Sequence, residues 1–473
     1  MFNFFRRRKK PKVLVIGLDC AEPSLVFDKW RDELPTFRRL MEHGAYGKLR
    51  SAIPCITVPA WSSMLSSKDP GTLGFYGFRN RADYSYNNLN IATGNAVKEK
   101  RVWDYLGEVG KKSIVVGVPQ TYPVRPINGH LISSFLTPSV NKQYTHPHSL
   151  RFEIDQLLQK REYDVDVRHF RTENKDHLLA QIYEMTEKRF KVLNYLIRKK
   201  PWDFFMFVEM GVDRIHHAFW KYHDSEHHKY EPGNKYEDAI KKYYRYIDRH
   251  LAGLLKAVDD DTVVLVVSDH GAKRMDGGFC LNQWLYEEGY LAFKHKIPTD
   301  HLVPIQELEV DWNKTIAWGA GGYYGRLWLN VDGREPQGLI PAPHYEEVRS
   351  EIANKLEALL DHEGRPLKTI CYKPEDIYRE VRNVPSDLMI YFGDLHWRSV
   401  GSLGHSSVYT FENDTGPDDA NHAQDGLIIY HDPKKDSNGK KLHGLQLMDI
   451  APTILDLLDV NVPPDMQGKV ISL

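Results

Sequence analysis

Five acidic and histidine side chains follow closely after apolar runs of the sequence: Asp19, Asp213, His217, Asp269 and His270. Carboxylate oxygens and imidazole nitrogens are ligands of zinc and of other divalent transition metals. Asp213 and His217 are four residues apart, so on a helix they share a face and could hold one ion. A hydrogen-bonded Asp–His couple is the alternative. Asp269 and His270 precede a glycine, which leaves room for an ion or an oxyanion near the backbone.

A hydroxyl group that could act as a nucleophile stands two residues before a proline. Because proline suits the first turn of a helix, Thr57 ahead of Pro59 is predicted to lie at or just before a helix N-terminus. Unpaired N–H groups and the helix dipole favour an anionic oxygen there. A threonine that only caps the helix is the competing interpretation. Cys55 has no base visibly coupled to it and is predicted to be a buried thiol.

The apolar runs that precede the candidate ligands predict buried parallel strands. Continuous apolar segments occupy residues 13–18, 113–118, 204–208 and 262–267, and an amphipathic helix over 240–258 leads directly into the last. Because ligands bind beyond the carboxyl ends of the strands in an open α/β sheet, the candidate side chains should meet at one edge. We therefore predict an α/β fold with a mostly parallel central sheet flanked by helices.

The chain divides into four predicted segments. Residues 1–11 form a basic tail, 12–270 the α/β core with the metal site, 271–400 an inserted cap that sets substrate specificity, and 401–473 the return to the core. The cap is predicted from its length and its glycine and proline content. Residues 387–391 and 426–430 are predicted to be strands that rejoin the sheet, and 447–458 a closing amphipathic helix.

Composition excludes several classes of protein. The 473 residues include 63 Lys+Arg and 64 Asp+Glu, so the positive excess typical of a nucleic-acid-binding surface is absent. No apolar run reaches the roughly 18 residues of a transmembrane helix, and the four cysteines form no CxxC pair, so no disulfide framework or thiolate zinc site is predicted. We expect a soluble cytoplasmic protein of undetermined oligomeric state. The cluster His223, His227 and His228 is predicted to be solvated surface.

Six separated blocks make the sequence resemble the alkaline phosphatase superfamily. Within it, the chain is most similar to the type I phosphodiesterase/nucleotide pyrophosphatase group and its prokaryotic phosphohydrolase and phosphomutase relatives. The blocks occur in order from about residue 12 to the end, at residues 14–19, 54–59, 213–217, 268–271, 412–422 and 448–455. The resemblance implies an alkaline phosphatase-like fold and a metal-dependent phosphoric ester hydrolase, a phosphodiesterase or a phosphomonoesterase.

The resemblance also implies a set of site residues and two divalent metal ions. Zinc is expected, and manganese or iron would also suit the ligand types. One ion would be bound by Asp213, His217 and His422. The second would be surrounded by Asp19, Thr57, Asp269 and His270. Thr57 would attack the phosphorus of a small phosphorylated substrate to give a phospho-threonine intermediate, which water then hydrolyses.

Departures from the related families narrow the expected activity. Thr57 stands where sulfatases need a cysteine within C-x-P-S-R, so sulfate-ester hydrolysis is disfavoured. Ala60 stands where nucleotide pyrophosphatases carry an asparagine, so nucleotide specificity is not assigned. Candidate pocket residues are Arg79, Arg81, Trp397, Arg398 and His405; the two first-named arginines could clamp a phosphate or lie on the surface. Phosphomutase activity and a non-catalytic metal-binding role are the alternatives to hydrolysis.

Overall fold

The computed structural model describes residues 11–473, so residues 1–10 of the predicted basic tail lie outside the described residues. A nine-stranded sheet forms the centre. Its strands are β1 (Lys12–Leu18), β2 (Ala45–Arg50), β3 (Ser113–Val116), β4 (Gly129–Ile132), β5 (Thr145–His146), β6 (Phe204–Glu209), β7 (Thr262–Val267), β8 (Asp425–His431) and β9 (Lys440–Gln446). The four strands predicted from continuous apolar runs are all present as β1, β3, β6 and β7.

The order of the strands places three of the predicted ligand-bearing ends side by side. The order is β9-β2-β8-β7-β1-β6-β3-β4-β5. Strand β1 runs parallel to both β6 and β7, with Leu18 opposite Glu209 and Gly17 opposite Val267. Only β8, which is antiparallel to both its neighbours, and the β4–β5 pair depart from the parallel arrangement. The prediction of a mostly parallel central sheet is confirmed.

Helices flank this sheet and complete the larger hydrophobic core. They are Pro35–His43, Thr57–Ser66, Val102–Glu108, Leu150–Leu157, Lys175–Lys199, Gly211–His223, Ala239–Leu255 and Ile450–Leu457. The predicted stripe of the helix before β7 is buried, as Tyr243, Ile247 and Leu251 illustrate. Within residues 11–473, no helix combines the length and the apolar character that crossing a bilayer requires.

A second hydrophobic core is formed by residues that lie between β7 and β8 in the sequence. Its four-stranded antiparallel sheet has the order Ala317–Ala320, Gly325–Leu329, Leu388–Tyr391 and Ile370–Tyr372. A three-stranded sheet has the order Trp397–Val400, Gly277–Cys280 and Tyr409–Thr410. Two helices, Leu281–Glu287 and Tyr345–Glu357, belong to the same region. The remaining strands of the described residues form three separate two-stranded sheets: Arg79–Arg81 with Leu89–Ile91, Val303–Pro304 with Ser402–Leu403, and Gly271–Arg274 with Ala420–Ala423.

One predicted strand lies in a different sheet from the one expected. Residues 426–430 fall within β8 and do rejoin the central sheet. Residues 387–391 do not, because Leu388–Tyr391 pairs with strands of the four-stranded sheet on both sides. The side chains of Leu388 and Ile390 pack into the second hydrophobic core. An apolar strand sequence specifies burial but does not specify which core buries it.

Candidate active site

The ends of β1 and β7 bring two acids and a histidine together. Asp19 follows β1, and Asp269 and His270 follow β7; all three side chains are fully buried. His270 Nε2 lies 3.2 Å from Asp269 Oδ2 and 3.8 Å from Asp19 Oδ1. The ring donates its Nδ1–H to the carbonyl oxygen of Gly271 at 3.1 Å, which leaves the Nε2 lone pair directed at the two carboxylates.

The helix Gly211–His223, called the Asp213 helix below, starts directly after β6. Asp213 and His217 lie one turn apart on it, and Asp213 Oδ1 is 3.2 Å from His217 Nε2. The predicted shared face is therefore present. His216 points elsewhere and donates its Nδ1–H to the carbonyl oxygen of Cys20 at 3.0 Å. Gly211 allows the helix to begin here, since a Cβ at this position would lie 1.9 Å from the Tyr243 hydroxyl oxygen.

The helix Thr57–Ser66, called the Thr57 helix, begins at the predicted nucleophile. Its first N–H groups have no acceptor within the helix and point out of its N-terminus. One turn further on, Trp61 donates its Nε1–H to Asp19 Oδ2 at 2.7 Å. The helix can approach β1 this closely because a Cβ at Gly17 would lie only 2.7 Å from the Trp61 ring. Thr57 Oγ1 consequently lies 3.4 Å from His270 Nε2.

The last predicted ligand, His422, comes from the short strand Ala420–Ala423. That strand pairs with Gly271–Arg274, so His422 is carried beside the end of β7. Its ring stacks on that of His270 with centroids 3.8 Å apart, and its Nδ1–H is donated to the carbonyl oxygen of Cys55 at 2.7 Å. The structure therefore gathers all seven residues predicted from the sequence: Asp19, Thr57, Asp213, His217, Asp269, His270 and His422.

Sequence reasoning missed the groups that hold these candidate ligands in place. Asp418 Oδ1 accepts a hydrogen bond from His217 Nδ1 at 2.8 Å, and Oδ2 accepts from the Tyr323 hydroxyl at 2.8 Å and from Arg171 Nη2 at 3.2 Å. The Tyr323 ring covers His217 and His422, with centroids 4.8 Å and 4.4 Å away. Asp418 lies inside the motif block 412–422, so an acid close to the last ligand was the available signal.

The buried environment of the site shifts the pKa values of several side chains away from their ordinary values. Burial, together with the neighbouring carboxylates, raises the pKa of Asp19 and of Asp269 well above the ordinary range. Burial opposes the charge on His217, but Asp418 and Asp213 raise its pKa to about 10. Burial lowers the pKa of His270 to about 4. Without a cation, burial thus disfavours the ionised forms of Asp19 and Asp269 and the protonated form of His270.

The donor atoms fit divalent cations. Within the described part of the chain, Asp19 Oδ1, Asp269 Oδ2 and His217 Nε2 are buried without a hydrogen-bond partner. The 3.2 Å separations Asp213 Oδ1–His217 Nε2 and Asp269 Oδ2–His270 Nε2 are close to the separation of about 3.3 Å between two ligands of a tetrahedral zinc ion. Among the described residues, three sets of donors each lie within 4.8 Å of one another: Asp19, Asp269 and His270; Asp213, His270 and His422; and Cys20, Asp213 and His217.

Comparison with protein families matches residues 13–418 to the family described as type I phosphodiesterase / nucleotide pyrophosphatase. The chain belongs to this family. The predicted membership and the alkaline phosphatase-like fold are thereby confirmed. No curated protein sequence matches the chain.

Solved structures share the fold of this type I phosphodiesterase family member at low sequence identity. Human ectonucleotide pyrophosphatase / phosphodiesterase 5 is 14% identical with a TM-score of 0.55, and 96% of each chain is covered. Phosphonoacetate hydrolase from Sinorhizobium meliloti 1021, solved with phosphonoacetate, is 14% identical with a TM-score of 0.60, covering 95% of this chain and 96% of the other. At these identities the likeness concerns the fold.

A connected set of aromatic and basic side chains, called the rim below, adjoins the candidate ligands of this phosphodiesterase family member. The rim residues are half-buried and comprise Phe78, Phe135, Phe170, Arg171 and Tyr323. Side-chain contacts connect them. Phe78 packs edge-on against Phe135, and Arg171 lies 4.9 Å from the Phe170 ring and 3.2 Å from the Tyr323 hydroxyl oxygen. The buried Arg214 joins the rim to the site, since it lies 4.6 Å from the Phe170 ring and 2.5 Å from Asp213.

None of the rim residues was predicted, and four of the five predicted pocket residues have structural partners instead. Arg81 is buried and pairs with Glu335 at 3.2 Å, so its prediction as a phosphate clamp is wrong. Arg79 is exposed. Trp397 packs in the second core, Arg398 lies 3.5 Å from Asp414, and His405 bonds to Ser402 at 2.9 Å.

The predicted solvated cluster of histidines is only partly solvated. His228 is exposed and His223 is half-buried, but His227 is only 4% exposed. Its Nδ1 accepts a hydrogen bond from the Lys229 N–H at 3.0 Å. A polar neighbourhood in the sequence predicted solvent exposure, yet the turn that follows the Asp213 helix folds the His227 ring inward.

Proposed function

We propose that the chain hydrolyses phosphoesters through a phospho-threonine intermediate on Thr57, with two divalent metal ions held by the seven gathered residues. The observation that carries the proposal is the position of Thr57 Oγ1, 3.4 Å from His270 Nε2 and at the start of a helix. A hydroxyl there is surrounded by metal-ligand types and faced by the unpaired N–H groups of a helix N-terminus, which favour anionic oxygens.

Asp213, His217 and His422 would hold one ion, and Asp19, Asp269, His270 and the Thr57 hydroxyl the other. Zinc is the ion expected, with manganese or iron compatible. When bound, such ions neutralise phosphoryl oxygens and lower the pKa of an attacking hydroxyl. The unpartnered buried atoms of Asp19, Asp269 and His217 support this assignment.

The chain's own residues then have distinct tasks. Thr57 Oγ would form a bond to phosphorus while the bond from phosphorus to the substrate alcohol breaks, and the alcohol leaves with a proton. Water would next cleave the Oγ–P bond, releasing the phosphate product and restoring the threonine hydroxyl. Trp61 keeps Asp19 in place through its indole N–H, and Asp418 keeps the His217 ring oriented. The helix N–H groups would stabilise the charge that develops on the phosphoryl oxygens.

The rim residues Phe78, Phe135, Phe170, Arg171 and Tyr323 are each partly exposed to solvent. A phosphomutase must keep water from the phosphoenzyme while the substrate turns over, so the fate of labelled phosphate distinguishes it from a hydrolase. The competent residue type at each of the seven positions argues against a non-catalytic role.

The proposal is tested with Thr57→Ala and Thr57→Ser, assayed on p-nitrophenyl phosphate, bis-p-nitrophenyl phosphate and a phosphonate monoester. Thr57→Ala should lose on the order of 10³-fold or more in turnover while retaining most of its bound metal. Thr57→Ser keeps a hydroxyl and should retain part of the activity. Undiminished turnover by Thr57→Ala would refute Thr57 as the nucleophile. Labelled phosphate that stays on organic product, with none released, would indicate a phosphomutase.

A further inference from the structure

Cys20, the residue after Asp19, places a thiol beside the Asp213 helix. Its sulfur, an Asp213 carboxylate oxygen and a His217 ring nitrogen all lie within 4.8 Å of one another. Cys20 is fully buried. It is not among the seven residues that the resemblance implies, and the spacing of the four cysteines did not predict any thiolate ligand.

Both backbone polar groups of Cys20 form hydrogen bonds with side chains in or beside the site. Its N–H donates to Asp269 Oδ1 at 3.2 Å, and its carbonyl oxygen accepts from His216 Nδ1 at 3.0 Å. The residue has φ 64°, in the left-handed region that glycine adopts most easily. The thiol itself has one weak contact, with the Gly271 carbonyl oxygen at 3.4 Å.

A second, independent observation concerns the donor that faces the same position. His217 Nε2 is buried without a hydrogen-bond partner, although Asp213 Oδ1 is only 3.2 Å away. The Cys20 sulfur lies within 4.8 Å of a donor atom of Asp213 and one of His217, so one ion could contact all three. Carboxylate, imidazole and thiolate are all zinc ligands.

We propose that the Cys20 sulfur is an additional ligand of the ion held by Asp213 and His217. It binds as the thiolate, and the proton of the thiol passes to solvent when the metal enters. A soft sulfur donor biases this position towards zinc and away from manganese. Room for a substrate oxygen remains, because zinc in catalytic sites expands to five ligands.

The neighbours of the thiol distinguish it from a space-filling cysteine. Its sulfur lies within 4.8 Å of a carboxylate oxygen of Asp213 and a ring nitrogen of His217, and both of these side chains are buried. The other thiol used here for comparison, Cys280, is equally buried but belongs to the second hydrophobic region, beside Val400 rather than beside candidate ligands.

This proposal rests on the proposed function in one respect, namely that the site holds a metal ion. Its test measures metal binding rather than turnover. Full-length protein loaded with Co²⁺ should show a sulfur-to-cobalt charge-transfer band in the near ultraviolet. Cys20→Ser and Cys20→Gly should lose the band, and the matched variant Cys280→Ser should keep it. Cys20→Gly suits the left-handed backbone, so at least one thiol-free variant is expected to fold, as circular dichroism will verify.

Zinc-loaded protein gives a second readout. X-ray absorption should reveal a sulfur neighbour at about 2.3 Å from zinc in the wild type and none in the Cys20 variants. Zinc affinity of those variants, measured by chelator competition, should fall roughly tenfold or more. The proposal is overturned if the wild-type protein binds no metal or lacks the charge-transfer band, or if both Cys20 variants keep the band. Thr57→Ala should retain the band, so failure of the nucleophile assignment is seen separately.

Discussion

Asp418 Oδ1 accepts the Nδ1–H of His217 at 2.8 Å, and this contact determines which nitrogen of the ring faces Asp213. Because Nδ1 keeps its proton and donates it to Asp418, Nε2 is the ring nitrogen left to bind a metal, which would displace the proton that the raised pKa of His217 keeps there. Asp418 also accepts from Tyr323, whose ring covers His217. One carboxylate therefore connects the candidate ligand His217 with Tyr323, a side chain from the stretch of sequence between β7 and β8.

Replacing this carboxylate tests the connection. Asp418→Asn can present an N–H to Nδ1 and so removes the constraint on the ring. We expect zinc affinity to fall roughly 10–100-fold, as measured by competition with a coloured chelator, while the far-ultraviolet circular dichroism stays unchanged. Glu412→Gln is the matched control, since Glu412 lies in the same segment but is exposed and pairs with Lys229. Equal zinc affinity for the Asp418 variant and the wild type would contradict the prediction.

Removal of metal should destabilise the protein. Without cations, Asp19, Asp213 and Asp269 are buried close to one another, and the pKa values of Asp19 and Asp269 are raised as a result. We expect the melting temperature to drop after treatment with a chelator and to recover with zinc. At a zinc concentration 100 times the dissociation constant, the stabilisation should be about 2.7 kcal/mol. A melting temperature that does not respond to zinc in either the wild type or Thr57→Ala would refute the metal assignment.

A buried ion pair anchors the start of the Asp213 helix. Glu209 Oε1 lies 3.3 Å from Arg189 Nη1 and accepts the Gly211 N–H at 2.9 Å. Glu209→Gln leaves the Arg189 charge buried and unpaired, so we expect a loss of about 3–5 kcal/mol in the free energy of unfolding, measured in urea. The exposed pair Lys235–Asp176 serves as the control, and Lys235→Ala should cause no measurable change. Similar losses in the two variants would contradict the argument.

The buried ring of His227 predicts a pH dependence of stability. Burial lowers its pKa in the folded protein to about 3, whereas the unfolded chain titrates near the ordinary value of about 6.5. Between these values the unfolded state binds more protons, so stability falls as the pH is lowered from about 6.5 towards 3. For this one group the loss at pH 5 is about 2 kcal/mol.

His227→Gln should remove this contribution. The measurement is the free energy of unfolding in urea at pH 7 and at pH 5, compared between the variant and the wild type. The difference between the two pH values should be smaller in His227→Gln by about 2 kcal/mol. His295→Gln, at an exposed histidine, should behave like the wild type. An unchanged difference in His227→Gln would show that this ring is protonated in the folded protein.

Local patterns in the sequence predicted six of the seven gathered residues and the sheet that carries them, and the family resemblance added His422. Apolar runs of strand length identified β1, β6 and β7, and the general rule for strand ends then placed Asp19, Asp269 and His270 at one edge. The four-residue spacing of Asp213 and His217 corresponds to one helical turn. These regularities depend on neighbours within a few residues, which is why a linear sequence displays them.

The remaining features depend on contacts between distant parts of the chain, which no local pattern encodes. Asp418 meets Tyr323 across 95 residues and Arg171 across 247. The same holds for Arg81, which is buried against Glu335 rather than available to a phosphate. The sequence by itself determined which residues could bind metal and on which elements they lie. Only the tertiary structure decided which groups orient, cover and neutralise them, because packing at long range selects those partners.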